Sequence, residues 1–436
     1  MDILSRPCRR IIRCRAVNRN SLVGFLAVLI VSTGFCMPVS ATSSWTKAEI
    51  TASRVVYDVN TQVVGPVSPG KKQAGLKAIV EVDQRRIVVL DREFRVTGVV
   101  RSRFDIAGNL HYSINRRFVY AASNDGWIAR IDLVNRKTVA EIRVGLETGN
   151  IALSSDGKWL MAGNSKPHTL VVLNAEDLSL YRVIPVEDGT GGSSAVRAVY
   201  DAAPRQSFIV ALKDFTEVWE LSYDPDAAPV YASFVHSYRV GQVEGVVVEA
   251  QPFARRRIKL NEYLEDFFFD PAYAEVVGTV RGDVDGAVYN LDARRKVAEL
   301  KFGGAPHFGA GTSWQADGRL LMATPHLDQS VVSIVDMESW QTIKKIAVAG
   351  PVRFLHQGSE TPHTWLQVLS GPHKGARQVL DKRTLEIVKT IAAVPDDPLL
   401  LYDRLTFREL KRLPGIRKKP AAGSGQRVIY NEAVRR

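Results

Sequence analysis

Ile128-Ala-Arg-Ile-Asp132, followed after a polar turn by Thr138-Val-Ala-Glu-Ile-Arg143, is the stretch whose reading decides the fold. Both halves are short runs rich in apolar and β-branched residues, and Asp132 stands where the first run stops. The segment therefore reads as a β-hairpin. The same unit recurs at Ile87-Val-Val-Leu-Asp91, Leu170-Val-Val-Leu-Asn174, Glu217-Val-Trp-Glu-Leu-Ser222 and Ala287-Val-Tyr-Asn-Leu-Asp292. It returns at Val331-Val-Ser-Ile-Val-Asp336, Arg377-Gln-Val-Leu-Asp381 and Leu400-Leu-Tyr-Asp403. Successive turn residues are 41, 42, 48, 70, 44, 45 and 22 positions apart. A period in the low forties is the length of a four-stranded propeller blade. A second turn falls inside the repeat, as in Ser154-Ser-Asp-Gly157 before Trp159 and Ala316-Asp-Gly318 before Leu320. A row of separate β-sandwiches would need linkers, and none is visible. The chain is expected to be an all-β propeller.

Two steps break the period. The step of 70 holds extra residues, placed around Gln251 to Phe269, where Arg255-Arg-Arg-Ile-Lys259 precedes Glu262-Tyr-Leu-Glu-Asp-Phe-Phe-Phe269. That insertion reads most simply as a surface loop returning to a strand. The last step, 22 residues, is half a blade. An open sheet edge invites aggregation, so Ser53-Arg-Val-Val-Tyr-Asp58 is the expected source of the missing strands. The propeller is then expected over 42–414, with 415–436, rich in Lys, Pro, Gly and Ser, as a basic disordered tail.

The first forty-one residues differ from the rest. Arg6, Arg9, Arg10, Arg13, Arg15 and Arg19 precede the apolar run Leu22 to Phe35, and Met37-Pro-Val-Ser-Ala41 ends in small residues. That order is a secretory signal peptide with cleavage after Ala41, which places the mature chain in the periplasm. A transmembrane anchor is the alternative, but the run is short for a span. Cys36 would make a membrane-bound lipoprotein only against a poor lipobox residue, Phe35. Cys8, Cys14 and Cys36 are the chain's three cysteines. Cleavage at Ala41 would remove all of them, and with them disulfides, Cys-ligated zinc, iron–sulfur clusters and covalent haem attachment. The net charge is +12, and residues 1–41 carry six Arg against one Asp, leaving +7 on the remainder. Its basic residues are scattered, which speaks against nucleic acid and for an anionic small molecule.

Functional side chains of a propeller sit in loops around its central channel. His111, His168, His236, His307, His326, His356, His363 and His373 are the histidines, and five of the eight lie between 307 and 373. A loop imidazole can serve as an axial metal ligand, although a solvated surface histidine is the commoner case. His111, in Gly108-Asn-Leu-His111, is expected at the start of a blade's first strand, facing the channel. His307, in Gly303-Gly-Ala-Pro-His-Phe-Gly-Ala-Gly311, lies on a glycine-rich loop that lets a flat ligand approach closely. Arg197, in Ser194-Ala-Val-Arg197, is expected at the position of His111 in its own blade and could neutralise a carboxylate. Asp283-Val-Asp-Gly286 echoes a calcium loop without its later ligands. Gly189-Thr-Gly-Gly-Ser-Ser lacks the third glycine of a dinucleotide fingerprint. Neither G-x-S-x-G nor H-E-x-x-H occurs.

At these segments the sequence resembles the haem d1 domain of dissimilatory nitrite reductase and, more closely, the NirF-type haem d1 biogenesis proteins. The resemblance is carried by Gly108-Asn-Leu-His111, Phe118-Val-Tyr-Ala-Ala-Ser-Asn-Asp-Gly126 and Ile151-Ala-Leu-Ser-Ser-Asp-Gly157. It continues through Ser194-Ala-Val-Arg-Ala-Val-Tyr-Asp-Ala-Ala203, Lys213-Asp-Phe-Thr-Glu-Val-Trp219 and Pro306-His307 onward, spanning roughly 78 to 391. It implies an eight-bladed propeller holding haem d1 or a haem d1 precursor non-covalently over its channel, a pattern from which the shortened last blade departs. His111 matches the proximal iron ligand and His307 one of two distal histidines. The other distal position falls near Glu265 or Asp266, a carboxylate that would act as general base or hydrogen-bond acceptor. Nitrite reduction by paired histidines is therefore not expected, and no haem c motif precedes the repeats. The implied role is tetrapyrrole binding during haem d1 maturation, with other maturation proteins or a nitrite reductase as partners. The alternatives are a haem d1-dependent oxidoreductase and a cofactor-free scaffold.

Overall fold

Five of the repeats close on the same piece of turn chemistry. Asp132 Oδ1 accepts from the backbone N–H groups of Val134 and Asn135, and Asp336, Asp381 and Asp403 do the same two and three residues on. Asn290 plays this part in its repeat, two residues before the expected Asp292. These are Asx turns, in which a short carboxylate or amide replaces a backbone acceptor. Four residues beyond the Asx the chain takes a left-handed conformation, at Arg136, Leu178, Arg294, Trp340, Leu385 and Phe407. The bulge that follows restores the pairing register of the outer strand.

The computed structural model describes residues 45–57, 75–81, 84–235, 245–281, 285–354, 361–394, 398–403 and 405–417. The expected leader at 1–41 lies outside them, as do Asp58, His236, His356 and residues 418–436. Sheet 1 is Lys77–Glu81, Arg86–Leu90 and Val96–Arg101. Sheet 2 is Ala107–Tyr112, Phe118–Ala122, Trp127–Asp132 and Lys137–Arg143. Sheet 3 is Glu147–Leu153, Trp159–Lys166, Thr169–Asn174 and Leu180–Pro185, and sheet 4 is Val196–Ala202, Ser207–Leu212, Glu217–Ser222 and Arg255–Lys259. Sheet 5 is Leu264–Phe269, Glu275–Val280, Gly286–Asn290 and Arg295–Leu300. Sheet 6 is Thr312–Ala316, Arg319–Pro325, Val331–Asp336 and Gln341–Ala347. Sheet 7 is Val352–Phe354, His363–Val368, Arg377–Asp381 and Glu386–Ile391, and sheet 8 is Pro398–Tyr402 with Glu409–Arg417. All pair antiparallel.

The cores lie between consecutive sheets. Ile87 and Val89 of sheet 1 meet Val119 and Ile131 of sheet 2. Ile128 and Ile142 of sheet 2 meet Leu160 and Val171 of sheet 3, and Met161 and Val172 meet Phe208 and Trp219 of sheet 4. The pattern continues through sheets 5, 6 and 7. Trp365 and Val379 of sheet 7 then pack on Tyr402 and Phe407 of the last hairpin, whose Leu413 packs back on Val88 and Leu90 of sheet 1. Lys411 Nζ fastens that contact by donating to the carbonyls of Glu93 and Phe94. This is β-propeller architecture, with the last sheet returning to the first.

Two expectations need correcting. The N-terminal strand does not complete the last sheet: Val55–Val56 pairs with Ala140 and Glu141 at the outer edge of sheet 2. The reason is electrostatic. Glu141 is buried on that edge, and Tyr57 Oη at 2.6 Å and Arg103 at 2.5 Å satisfy its carboxylate. The short helix Lys47–Ser53, closed by a Thr46/Glu49 capping box, and Trp45, donating to Arg143 O, fix the arm there. The basic run Arg255-Arg-Arg is not a surface loop either. It is the outer strand of sheet 4, where Arg257 pairs with Glu217, Arg256 with Glu220 and Arg255 with Glu249. The inserted residues instead lie upstream, in the loop bearing the hairpin Tyr231–Val235/Gly245–Val248.

Candidate functional site

In each four-stranded sheet the first strand is one edge and the fourth the other. Fourth strands such as Arg295–Leu300 and Gln341–Ala347 alternate exposed and half-buried residues, as an outer rim does, whereas Ser207–Leu212, a second strand, is buried throughout. First strands lie against one another: the Asn150 amide of sheet 3 donates to Val199 O and accepts from Val199 N in sheet 4, both at 2.8 Å. Gly149 faces the Val196 and Arg197 carbonyls so closely that a Cβ would sit 3.3–3.4 Å from them. The first strands therefore form the inner ring. Antiparallel alternation puts their leading ends, and the turns between second and third strands, at one common end.

The leading ends are bulged. An extra residue interrupts the pairing at Gly149 in sheet 3, Arg197 in sheet 4 and Glu265 in sheet 5, and sheet 2 is irregular between Ala107 and His111. Bulges of this kind re-aim side chains and cluster beside functional sites. Arg197 is exposed there. Glu265 is held by Arg281, whose Nε donates to its carboxylate at 2.7 Å while Nη2 donates to Lys213 O. The Glu265 carboxylate is thus engaged in an ion pair with Arg281. Asp266 pairs with Thr279 next along the same strand. His307 lies between sheets 5 and 6, ahead of the 3-10 turn Phe308–Ala310, with its N–H on Pro325 O at 2.8 Å. Arg197, Glu265 and His307 thus share one end of the ring.

His111 does not lie at its strand's start. It is the fifth of the six residues of Ala107–Tyr112 and pairs with Tyr120, deeper along the inner ring. Counting from the following turn, its counterpart in sheet 4 is Tyr200, so Arg197 stands three residues nearer the shared end than the expected equivalence. The count slipped because the irregular stretch before His111 is invisible to a period-two pattern. Sequence reasoning also missed Arg281, which the hairpin register places beside Glu265. The recurring Pro-His was the available sign of a further set: His168, His326 and His373 follow Pro in the second turns of sheets 3, 6 and 7. Among the described residues no three His, Cys, Asp or Glu side chains converge on a metal position.

The structure thus sets one imidazole, His111, on an inner strand and a second, His307, on a glycine-rich loop, with exposed Arg197 at the same end as His307. The Cytochrome D1 heme domain matches residues 72–403 of the chain. A protein named "Dihydro-heme d1 dehydrogenase" from Pseudomonas aeruginosa is 35% identical over 383 residues, 82% of this chain and 73% of the relative. The chain belongs to the cytochrome D1 heme domain family. "Protein NirF" from Stutzerimonas stutzeri is 24% identical over 326 residues, 70% of this chain and 79% of the relative. Among solved structures, "Dihydro-heme d1 dehydrogenase NirN in complex with DHE" superposes with a TM-score of 0.74 at 34% identity, covering 85% of this chain and 79% of that one. The family assignment agrees with the fold and with the resemblance carried by the His111 and His307 segments.

Proposed function

We propose that the chain binds haem d1 or a haem d1 precursor non-covalently at the inner ring and serves in haem d1 biogenesis. The observation that carries this is the 35% identity, across most of the chain, with a protein named for dihydro-heme d1. It coincides with imidazoles and cations gathered on the first strands and their connections. In this reading His111, on the inner strand of sheet 2, would ligate the iron, His307, on its loop, would be a second imidazole for the group, and Arg197 would neutralise ring carboxylates. The bound ring would supply the iron and the conjugated electron system; the chain supplies position, charge and exclusion of water. Arg281 engages the Glu265 carboxylate, its Nε donating to it at 2.7 Å. The same proposal takes the ring to have eight blades, supported by the unbroken series of cores from sheet 1 through sheet 8 and back. It also takes residues 1–41 as an export signal, which would put the work in the periplasm.

A second reading is favoured by the same relative's name: dehydrogenation of a dihydro-haem d1 substrate, two electrons passing to an external acceptor and two protons to solvent. Both are tested by adding haem d1 and its dihydro form to the purified chain and recording the visible spectrum, with and without an artificial electron acceptor. A saturable shift with either ring supports binding, and conversion only with the acceptor adds catalysis. An unshifted spectrum with both rings refutes the proposal.

A further inference from the structure

The loop carrying His307 is tied to one turn over its whole length. Gly303 O accepts from Gln329 Nε2 at 2.9 Å, and Ala305 N donates to Asp328 Oδ1 at 2.9 Å. Leu327 N donates to Ala305 O at 2.9 Å, Pro306 and His326 form an isolated bridge, and His307 N donates to Pro325 O at 2.8 Å. The residue left over, Gly304, presses on the turn's side chains: a Cβ there would lie 2.4 Å from Gln329 Nε2 and 2.9 Å from His326 Nδ1. Gly303, at φ +64, turns the chain into this contact. Phe302 and Phe308, both buried, close the two ends of the loop and meet edge to face at 5.5 Å.

His326 is the centre of this clamp. Its side chain is wholly buried, lies edge-on to Phe302 at 5.7 Å, and places Nε2 2.9 Å from Ser333 Oγ. Nδ1 is buried against Gly304 with no hydrogen-bond partner. A buried imidazole with one nitrogen anchored has a fixed ring plane, and that plane is the floor on which the Gly303–His307 loop rests.

We propose that the turn Pro325–Gln329 is a clamp that presets the His307 loop, with His326 as its positioning residue. The proposal rests on the reading that a tetrapyrrole meets His307, since only then does the preset matter for binding. A loop already ordered in the free protein loses little entropy when a flat ligand docks on it. His326 would then raise affinity without touching the ring.

The test compares His326→Leu, which keeps the volume apolar, with His326→Gln, whose amide can still reach Ser333. Amide hydrogen exchange in the ligand-free protein is read at Ala305, His307 and Leu327. His326→Leu is expected to speed these by about tenfold, the loss of roughly one hydrogen bond's free energy, with sheet 3 amides unchanged. Its haem d1 complex should weaken by a similar factor and shift its visible bands toward those of His307→Ala, and His326→Gln should restore both. Unchanged exchange and an unchanged bound spectrum in His326→Leu overturn the proposal. If that variant does not fold, exposed Asp328→Ala decides: the Ala305 amide must lose protection, or the clamp is wrong. Should the wild-type chain bind no haem d1 at all, the proposed function fails, and the exchange rates still decide the clamp.

Discussion

Replacing Glu220 by Ala tests whether Arg255-Arg-Arg is the cemented outer strand of sheet 4 or a solvated loop. Glu220 is 6% exposed and takes hydrogen bonds from Arg205 Nε at 2.8 Å, Arg205 Nη2 at 3.1 Å and Arg256 Nη1 at 2.6 Å. Arg205 reaches on to Asp292 at 2.7 Å, so the carboxylate joins sheets 4 and 5. Removing it leaves two guanidinium groups facing each other in a largely dry site. Breaking a buried pair from one side costs about 3–5 kcal/mol. Urea unfolding at pH 7 should lose that much, as a lower midpoint with an unchanged slope. The pH dependence supplies a second signature. Burial, the largest single influence, would raise the Glu220 pKa, but the hydrogen bond and charge of Arg205, with Arg256, outweigh it and hold it below 4.5. A depressed folded pKa contributes stability above the unfolded value and loses it as pH falls through the folded one. The gap between wild type and variant should therefore close below about pH 4. A loss under about 1 kcal/mol, as for exposed pairs, would refute the reasoning.

Leu413→Ala removes the main apolar contact of the last hairpin with sheet 1 and should cost about 2–5 kcal/mol, with proteolysis of the 398–417 hairpin as the first visible event. Unchanged protease resistance there would mean the ring does not depend on this contact. Asp201 is pushed the other way from Glu220: burial, above the hydrogen bonds from Tyr223 and Ser155, raises its pKa from 3.8. A raised carboxylate pKa costs stability as pH rises through it. Asp201→Asn should therefore be at least as stable as wild type at pH 7 in thermal unfolding, with no advantage at pH 3.

Much of the fold was legible because its turns are local chemistry. Asp132, Asn174, Asp336, Asp381 and Asp403 each build their own Asx turn, so spacing alone exposed the blades. The left-handed residues that finish those turns are Arg136, Leu178, Trp340 and others, not Gly, and they gave no sign of the bulges that follow. The outer strand of sheet 4 was hidden because its apolar alternation is replaced by arginines whose partners, Glu217 and Glu220, lie far away in sequence. The N-terminal arm was misassigned for the same reason: what draws Tyr57 to sheet 2 is one buried carboxylate, Glu141. At the site, residue types were readable and levels were not. The segments around His111 and His307 marked those two imidazoles, but irregular pairing between Ala107 and His111 decides how deep His111 sits. The ion pair that occupies Glu265 depends on register across a hairpin, which a list of residue types does not contain.

The central claim is that a haem d1-type ring binds at the inner ring with His111 on its iron. The most direct test is the electron paramagnetic resonance and visible spectrum of ferric haem d1 bound to wild type and to His111→Ala, each with and without added imidazole. The account predicts that His111→Ala loses the imidazole-ligand signature, that its affinity falls at least about tenfold, and that free imidazole restores the spectrum. An identical spectrum and affinity in His111→Ala would contradict it.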